Sequence, residues 1–261
     1  MSARSFTRGK GFLAAAAIAL AFTSCKPSAS EDAAAPMPET TVAAATSLRN
    51  VLPTLIARYG VAGKISVTYG ASGDLRKQVE GGAPIDLVLF ASRKPVEALG
   101  EKGLTDGEAV RIATNRLVLI GPANAKPLTF KTLDTIPAGD HLAIGDPGAV
   151  PAGDYAKQAL QKLGSWDALQ DRIVFGGDVA GVLAYARRGE VAGAIVYKTE
   201  TQGIADIVVL DEASDEYAPT AEVIGAATRG GTSLAGGKAF LVWLATPDAQ
   251  KILADAGFGP R

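Results

Sequence analysis

From Thr41 to the C-terminus, short runs of β-branched and apolar residues alternate with longer stretches in which apolar positions recur every three or four residues. The first pattern predicts strands and the second amphipathic helices. Strands are expected at 41–45, 64–69, 86–90, 116–120, 141–144, 173–175, 192–197, 207–210 and 223–228. Between them, Leu48, Val51, Leu52, Leu55 and Ile56 make one apolar stripe, and Gly60 follows as a stop. Tyr155, Ala156, Ala159, Leu160 and Leu163 make a second before Gly164, and Val179, Val182, Leu183 and Ala186 a third before Gly189. Pro53 would remove a backbone donor from a helix begun near Ser47, so a kink or a later start is expected. A last helix is expected over 238–256, carrying Phe240, Leu241, Trp243 and Leu244. Alternation of this kind predicts an α/β, doubly wound architecture. No repeat of solenoid length interrupts it.

The first 24 residues follow a different rule. Arg4, Arg8 and Lys10 precede an uncharged apolar stretch that ends at Ser24, the order of an export signal. Its apolar part is about a dozen residues, short of the ~20 that span a bilayer, so it is read as removable. Phe22-Thr23-Ser24-Cys25 resembles a bacterial lipobox, which would make Cys25 the lipidated first residue of the mature chain. An ordinary signal peptide cleaved nearby, leaving a free thiol, is the alternative. The mature protein is expected outside the cytoplasm. Residues 25–40, rich in Pro, Ala, Ser and acidic groups without apolar periodicity, read as a flexible tether.

Composition narrows the chemistry. Nearly half of the 261 residues are apolar and 20% are charged, enough for a packed core and too apolar for disorder. Basic and acidic side chains number 26 and 27, with no basic run of five, which argues against a nucleic-acid partner. Loss of the export signal leaves 23 basic residues and a formal charge of −4. Cysteine and histidine each occur once, so disulfide scaffolds, Cys/His zinc sites and haem attachment lack their residues. Any ligand must be held by oxygens and amides.

Four strand ends run into small neutral loops that open helices: Ala45-Thr46-Ser47-Leu48, Gly70-Ala71-Ser72-Gly73-Asp74, the stretch from Gly145 to Gly153, and Gly176-Gly177-Asp178-Val179. A helix start exposes unpaired N–H groups and about half a positive charge. Several such starts converging on one point can therefore bind an anion without lysine or arginine. Open α/β sheets bind ligands beyond the carboxyl ends of their strands, where these loops must lie. Each junction alone is better explained by ordinary capping. Asp74, Asp146 and Asp178 would compete with an anion for the same dipoles, so their side chains are expected to point aside.

At these residues the chain resembles the periplasmic molybdate-binding proteins of bacterial ABC-type uptake systems, over about 41–261. The likeness rests on Ala-Ala-Ala-Thr-Ser-Leu at 43–48, on Gly81-Gly82-Ala83-Pro84-Ile85-Asp86-Leu87, and above all on Gly145-Asp146-Pro147 with Val150-Pro151-Ala152-Gly153-Asp154-Tyr155-Ala156-Lys157. Asp178-Val179 and Gly193-Ala194-Ile195-Val196-Tyr197 complete it. Thr46 stands where the family often has a small apolar residue, Gly73-Asp74 stands where hydroxyl or small residues are expected, and Glu222-Val223-Ile224-Gly225 lacks a Tyr-Pro pair often found there.

The resemblance implies a type II periplasmic-binding-protein fold: two doubly wound α/β lobes joined by two crossover segments, a Venus-flytrap architecture. Crossings near 118 and 203 would assign 41–118 and 204–261 to one lobe and 119–203 to the other. Ligand contacts implied by the family are the hydroxyls and amides of Ser47 and Ser72, the amides of Ala152 and Val179, and the phenol of Tyr197. The cargo would be molybdate or tungstate, with molybdenum held only as its oxyanion and no cofactor. The partner would be an inner-membrane permease served by a monomeric receptor. Two other readings are weighed beside it: a receptor for another oxyanion such as sulfate, and a hydrolase with Ser47 or Ser72 as nucleophile and His141 as base. The second lacks a Gly-x-Ser-x-Gly elbow, and no Walker-type phosphate loop occurs.

Overall fold

The computed structural model describes residues 39–60 and 64–261; the export signal, Cys25 and the tether up to residue 38 lie outside the described residues. Two five-stranded mixed sheets organise the chain. The first is built from β1 (Thr40–Ala45), β2 (Ile65–Gly70), β3 (Leu87–Phe90), β4 (Val110–Asn115) and, returning late, β10 (Ala221–Ala227), in the order β2-β1-β3-β10-β4. The second holds β5 (Leu117–Pro122), β6 (Leu142–Gly145), β7 (Ile173–Gly176), β8 (Gly193–Tyr197) and β9 (Ile207–Glu212), in the order β7-β6-β8-β5-β9. Within each sheet the first three strands in that order are mutually parallel, the fourth runs antiparallel to them, and the fifth runs antiparallel to the fourth.

Alternating side chains on the first sheet feed two cores. Val42, Ala44, Leu87, Leu89 and Val223 pack against α1 (Leu52–Tyr59), α7 (Leu234–Trp243) and α8 (Pro247–Asp255). Ala43, Val88, Phe90, Ile224 and Ala226 pack on the other face against α2 (Ser72–Glu80) and α3 (Lys94–Glu101). The second sheet does the same, with Leu117, Leu119, Ile144 and Ile195 under α4 (Pro151–Lys162) and α5 (Trp166–Leu169), and Val118, Ile120, Ala143 and Val196 under α6 (Val179–Arg187). Each such Val, Leu or Ile contributes about 1.5–3 kcal/mol by leaving water. Asp86, from the Gly-Ala-Pro-Ile-Asp block, is wholly buried and accepts from the amides of Thr41 at 2.7 Å and Ser233 at 2.5 Å. That pair ties β1 to the start of α7 and explains a buried charge in a structural role.

Three expectations are corrected. The strand expected at 116–120 is β5, but a strand not expected from the sequence, β4, precedes it: β4 ends at Asn115 in the first sheet and β5 starts at Leu117 in the second, so the chain crosses between lobes there. The return crossing expected near 203 comes later, because β9 pairs with β5 in the second sheet and only β10 rejoins the first. The helix expected over 238–256 is two helices, since Pro247 cannot continue α7 and Thr246 caps α8 by accepting from Ala249 N. Pro53 resolves as a late start, with a 3₁₀ turn at Thr46–Leu48 and α1 beginning at Leu52.

Candidate functional site

The carboxyl ends of β1, β2 and β3 face those of β6, β7 and β8 across a small cavity. Ser47, Ser72, Ala152, Val179 and Tyr197 all line it, so the five positions singled out in the sequence come together. Ser47 lies in the 3₁₀ turn that follows β1, Ser72 opens α2, Ala152 follows Pro151 at the start of α4, Val179 opens α6 and Tyr197 ends β8. As first-turn residues, Ser72, Ala152 and Val179 carry N–H groups that no carbonyl of their own helix can accept. Pro151 suits the first position of α4 because it has no N–H to satisfy. The start of α4 presses onto the end of β6: a Cβ at Gly153 would overlap the Gly145 carbonyl.

Ala91, the residue after β3, links both halves of the cavity. Its amide donates to Ser72 Oγ at 3.1 Å, and its carbonyl accepts from Tyr197 Oη at 3.4 Å. Because Ser72 Oγ is the acceptor in that bond, its own proton is left to point at a ligand. Burial, reinforced by Tyr155, Glu200 and Asp154, pushes the Tyr197 phenol well above its ordinary value, so it stays a neutral donor.

Among the described residues the only charged one lining the cavity is Asp178, and it is engaged on both sides. One oxygen caps α6 by accepting from Gly181 N at 2.8 Å, and the other accepts from Thr46 Oγ1 at 3.1 Å. Asp74 is exposed and pairs with Lys77 at 3.0 Å, and Asp146 is exposed. All three carboxylates are thus turned to partners or to solvent. Glu200, in the 3₁₀ turn just after Tyr197, was not singled out in the sequence. Its carboxyl is buried and pushed up to about 7, first by burial and then by the charge of Asp178, with Arg49 opposing. Nothing in its local pattern, Lys198-Thr199-Glu200, marks it as buried.

His141 is exposed and precedes β6, whose opposite end meets the cavity. At about 3.3 Å per residue, the strand's length keeps it out of reach of either serine. Among the described residues no cluster of three or more His, Cys, Asp or Glu side chains is placed to hold a metal ion, and no helix is long and apolar enough to cross a membrane.

Fold and cavity together define a two-lobed receptor for a small solute. The chain belongs to the bacterial extracellular solute-binding protein family, which residues 40–259 match. It is a binding protein and not an enzyme. The molybdate-binding protein ModA of Haemophilus influenzae is 34% identical over 232 residues, covering 85% of this chain and 90% of that protein. ModA of Escherichia coli is 33% identical over 227 residues, covering 84% and 88%. The solved periplasmic molybdate-binding protein of Azotobacter vinelandii matches the fold with a TM-score of 0.76 at 22% identity, covering 85% of this chain and 99% of that one.

Proposed function

We propose that the protein captures molybdate or tungstate between its lobes, outside the cytoplasm, and delivers it to an ABC-type permease of the inner membrane. The observation that carries this reading is the cavity itself: it gathers donors from both lobes, and among the described residues no lysine, arginine or histidine lines it. Ser47 and Ser72 would supply hydroxyls and amides, Ala152 and Val179 amides, and Tyr197 its phenol. The names of the two relatives with about a third of their residues identical support the cargo.

Tetrahedral dianions share charge and shape, so fixed neutral donors select by radius, and sulfate would be left under-coordinated. Monohydrogen phosphate is refused differently. Its P–OH needs an acceptor, and the one carboxylate lining the cavity among the described residues, Asp178, is directed at Gly181 N and Thr46 Oγ1. The N-terminal basic and apolar segment supports export, and the sequence at Cys25 supports a lipid anchor on a monomeric receptor.

Thermal unfolding with each anion tests the assignment. Molybdate or tungstate at 100 times its Kd should raise stability by about 2.7 kcal/mol, with little effect of sulfate or phosphate at equal concentration. A sulfate effect equal to that of molybdate would overturn the selectivity.

A further inference from the structure

The lobes touch at one place where side chains are missing. Gly73, the second residue of α2 in the first lobe, donates its amide to the carbonyl of Ala149 in the second lobe at 3.0 Å. A Cβ on Gly73 would lie 2.8 Å from that oxygen, 2.9 Å from Ala149 Cα and 3.1 Å from the Gly148 carbonyl. All three are backbone atoms, so no rotamer change relieves the overlap. Nor can the loop readily recede. Gly148 N donates to Asp154 Oδ1 at 3.0 Å, and the amides of Ala149 and Val150 both donate to Asp146 O, at 3.2 and 2.8 Å.

Gly73 has no positive φ, and glycine weakens a helix relative to alanine. Local conformation therefore does not demand it; the approach of the other lobe does. Its neighbours Ser72, on one side, and Val150 to Ala152, on the other, line the cavity.

We propose that Gly73 is a closure-determining position: its bare backbone lets α2 lock onto Ala149, and any side chain there acts as a wedge that holds the anion cleft ajar. The inference rests on the receptor reading and deepens it. Gly73 does its work without touching the ligand, because an anion bridging both lobes is held only when both sets of donors reach it.

The test compares the exported protein with Gly73→Ala, Gly73→Val and, as a control, Gly100→Ala. Gly100 is also helical, but its nearest neighbour to an added Cβ is the Thr105 hydroxyl at an ordinary 3.5 Å. Three quantities are read: molybdate affinity by calorimetry, compaction on adding molybdate by small-angle scattering, and melting of the unliganded protein. Gly73→Ala should lose at least about tenfold in affinity and Gly73→Val more, both with reduced compaction, while unliganded melting holds or rises with the better helix former. Gly100→Ala should bind and compact like the wild type. Wild-type affinity and compaction in both Gly73 variants would overturn the inference alone, as would lost affinity with full compaction. A wild-type protein that ignores molybdate would overturn the receptor reading and this inference with it.

Discussion

Thr46 Oγ1 donates to Asp178 Oδ2 at 3.1 Å, from the 3₁₀ turn that follows a first-lobe strand to the cap of a second-lobe helix. The bond turns aside the one carboxylate beside the cavity and joins the lobes at the same time. A hydrogen bond to a charged group contributes about 1.5–3 kcal/mol when buried, and somewhat less at this half-buried site. Thr46→Val should therefore weaken molybdate binding by about tenfold in calorimetry; unchanged affinity would show that Asp178 needs no restraint.

Asp178 itself separates capping from charge. Asp178→Asn keeps an oxygen for Gly181 N, so α6 should stay capped and unfolding change little. Removing a negative charge beside a dianion should tighten binding several-fold. Weaker binding in this variant would mean that the carboxylate aids the site.

The two serines are expected to differ. Ser72→Ala leaves the buried Ala91 amide without its acceptor, which should cost about 1–3 kcal/mol in urea unfolding as well as affinity. Ser47→Ala should lower affinity with little loss of stability. Equal stability losses in both would contradict the assignment of Ser72 as the cross-braced member.

Tyr197→Phe removes one donor and a long 3.4 Å bond to Ala91 O. Affinity should fall by about tenfold, roughly 1.4 kcal/mol, with little change in unliganded stability. Since the phenol is held well above its ordinary value, wild-type binding should not be lost by its ionisation as pH approaches 10. A binding loss there that is absent from Tyr197→Phe would contradict this.

Glu200 sets a pH dependence. Its carboxyl is raised from 4.5 to about 7, so the folded protein holds this proton more tightly than the unfolded chain does. Its contribution to stability is fully present below pH 4.5 and is lost as pH rises through about 7, an effect of about 3 kcal/mol. Glu200→Gln should flatten that part of the profile and be the more stable form at pH 8 in urea unfolding. Parallel profiles would show that Glu200 is not held protonated.

The junctions were legible because their signals are local: Pro151 at a helix start, Asp178 as a cap, and serines after strand ends. The lobe boundaries were less so. Thr114-Asn115-Arg116 is a short polar break before the apolar run that starts at Leu117, and a change of sheet at that point leaves no mark on periodicity. The sheet membership of Ile207–Glu212 depends on which strand it meets, here Leu117–Pro122, about ninety positions earlier in sequence. The contacts of Gly73 with Ala149 and of Thr46 with Asp178 join residues that only the closed fold brings together, although both first-lobe residues stood out as departures from the resembling family.

A crystal grown with molybdate and measured at the molybdenum absorption edge addresses the central claim most directly. The anomalous peak should lie between the lobes, with its oxygens on Ser47, Ser72, Ala152, Val179 and Tyr197. A peak elsewhere, or a carboxylate or lysine completing the shell around the metal, would contradict capture by neutral donors.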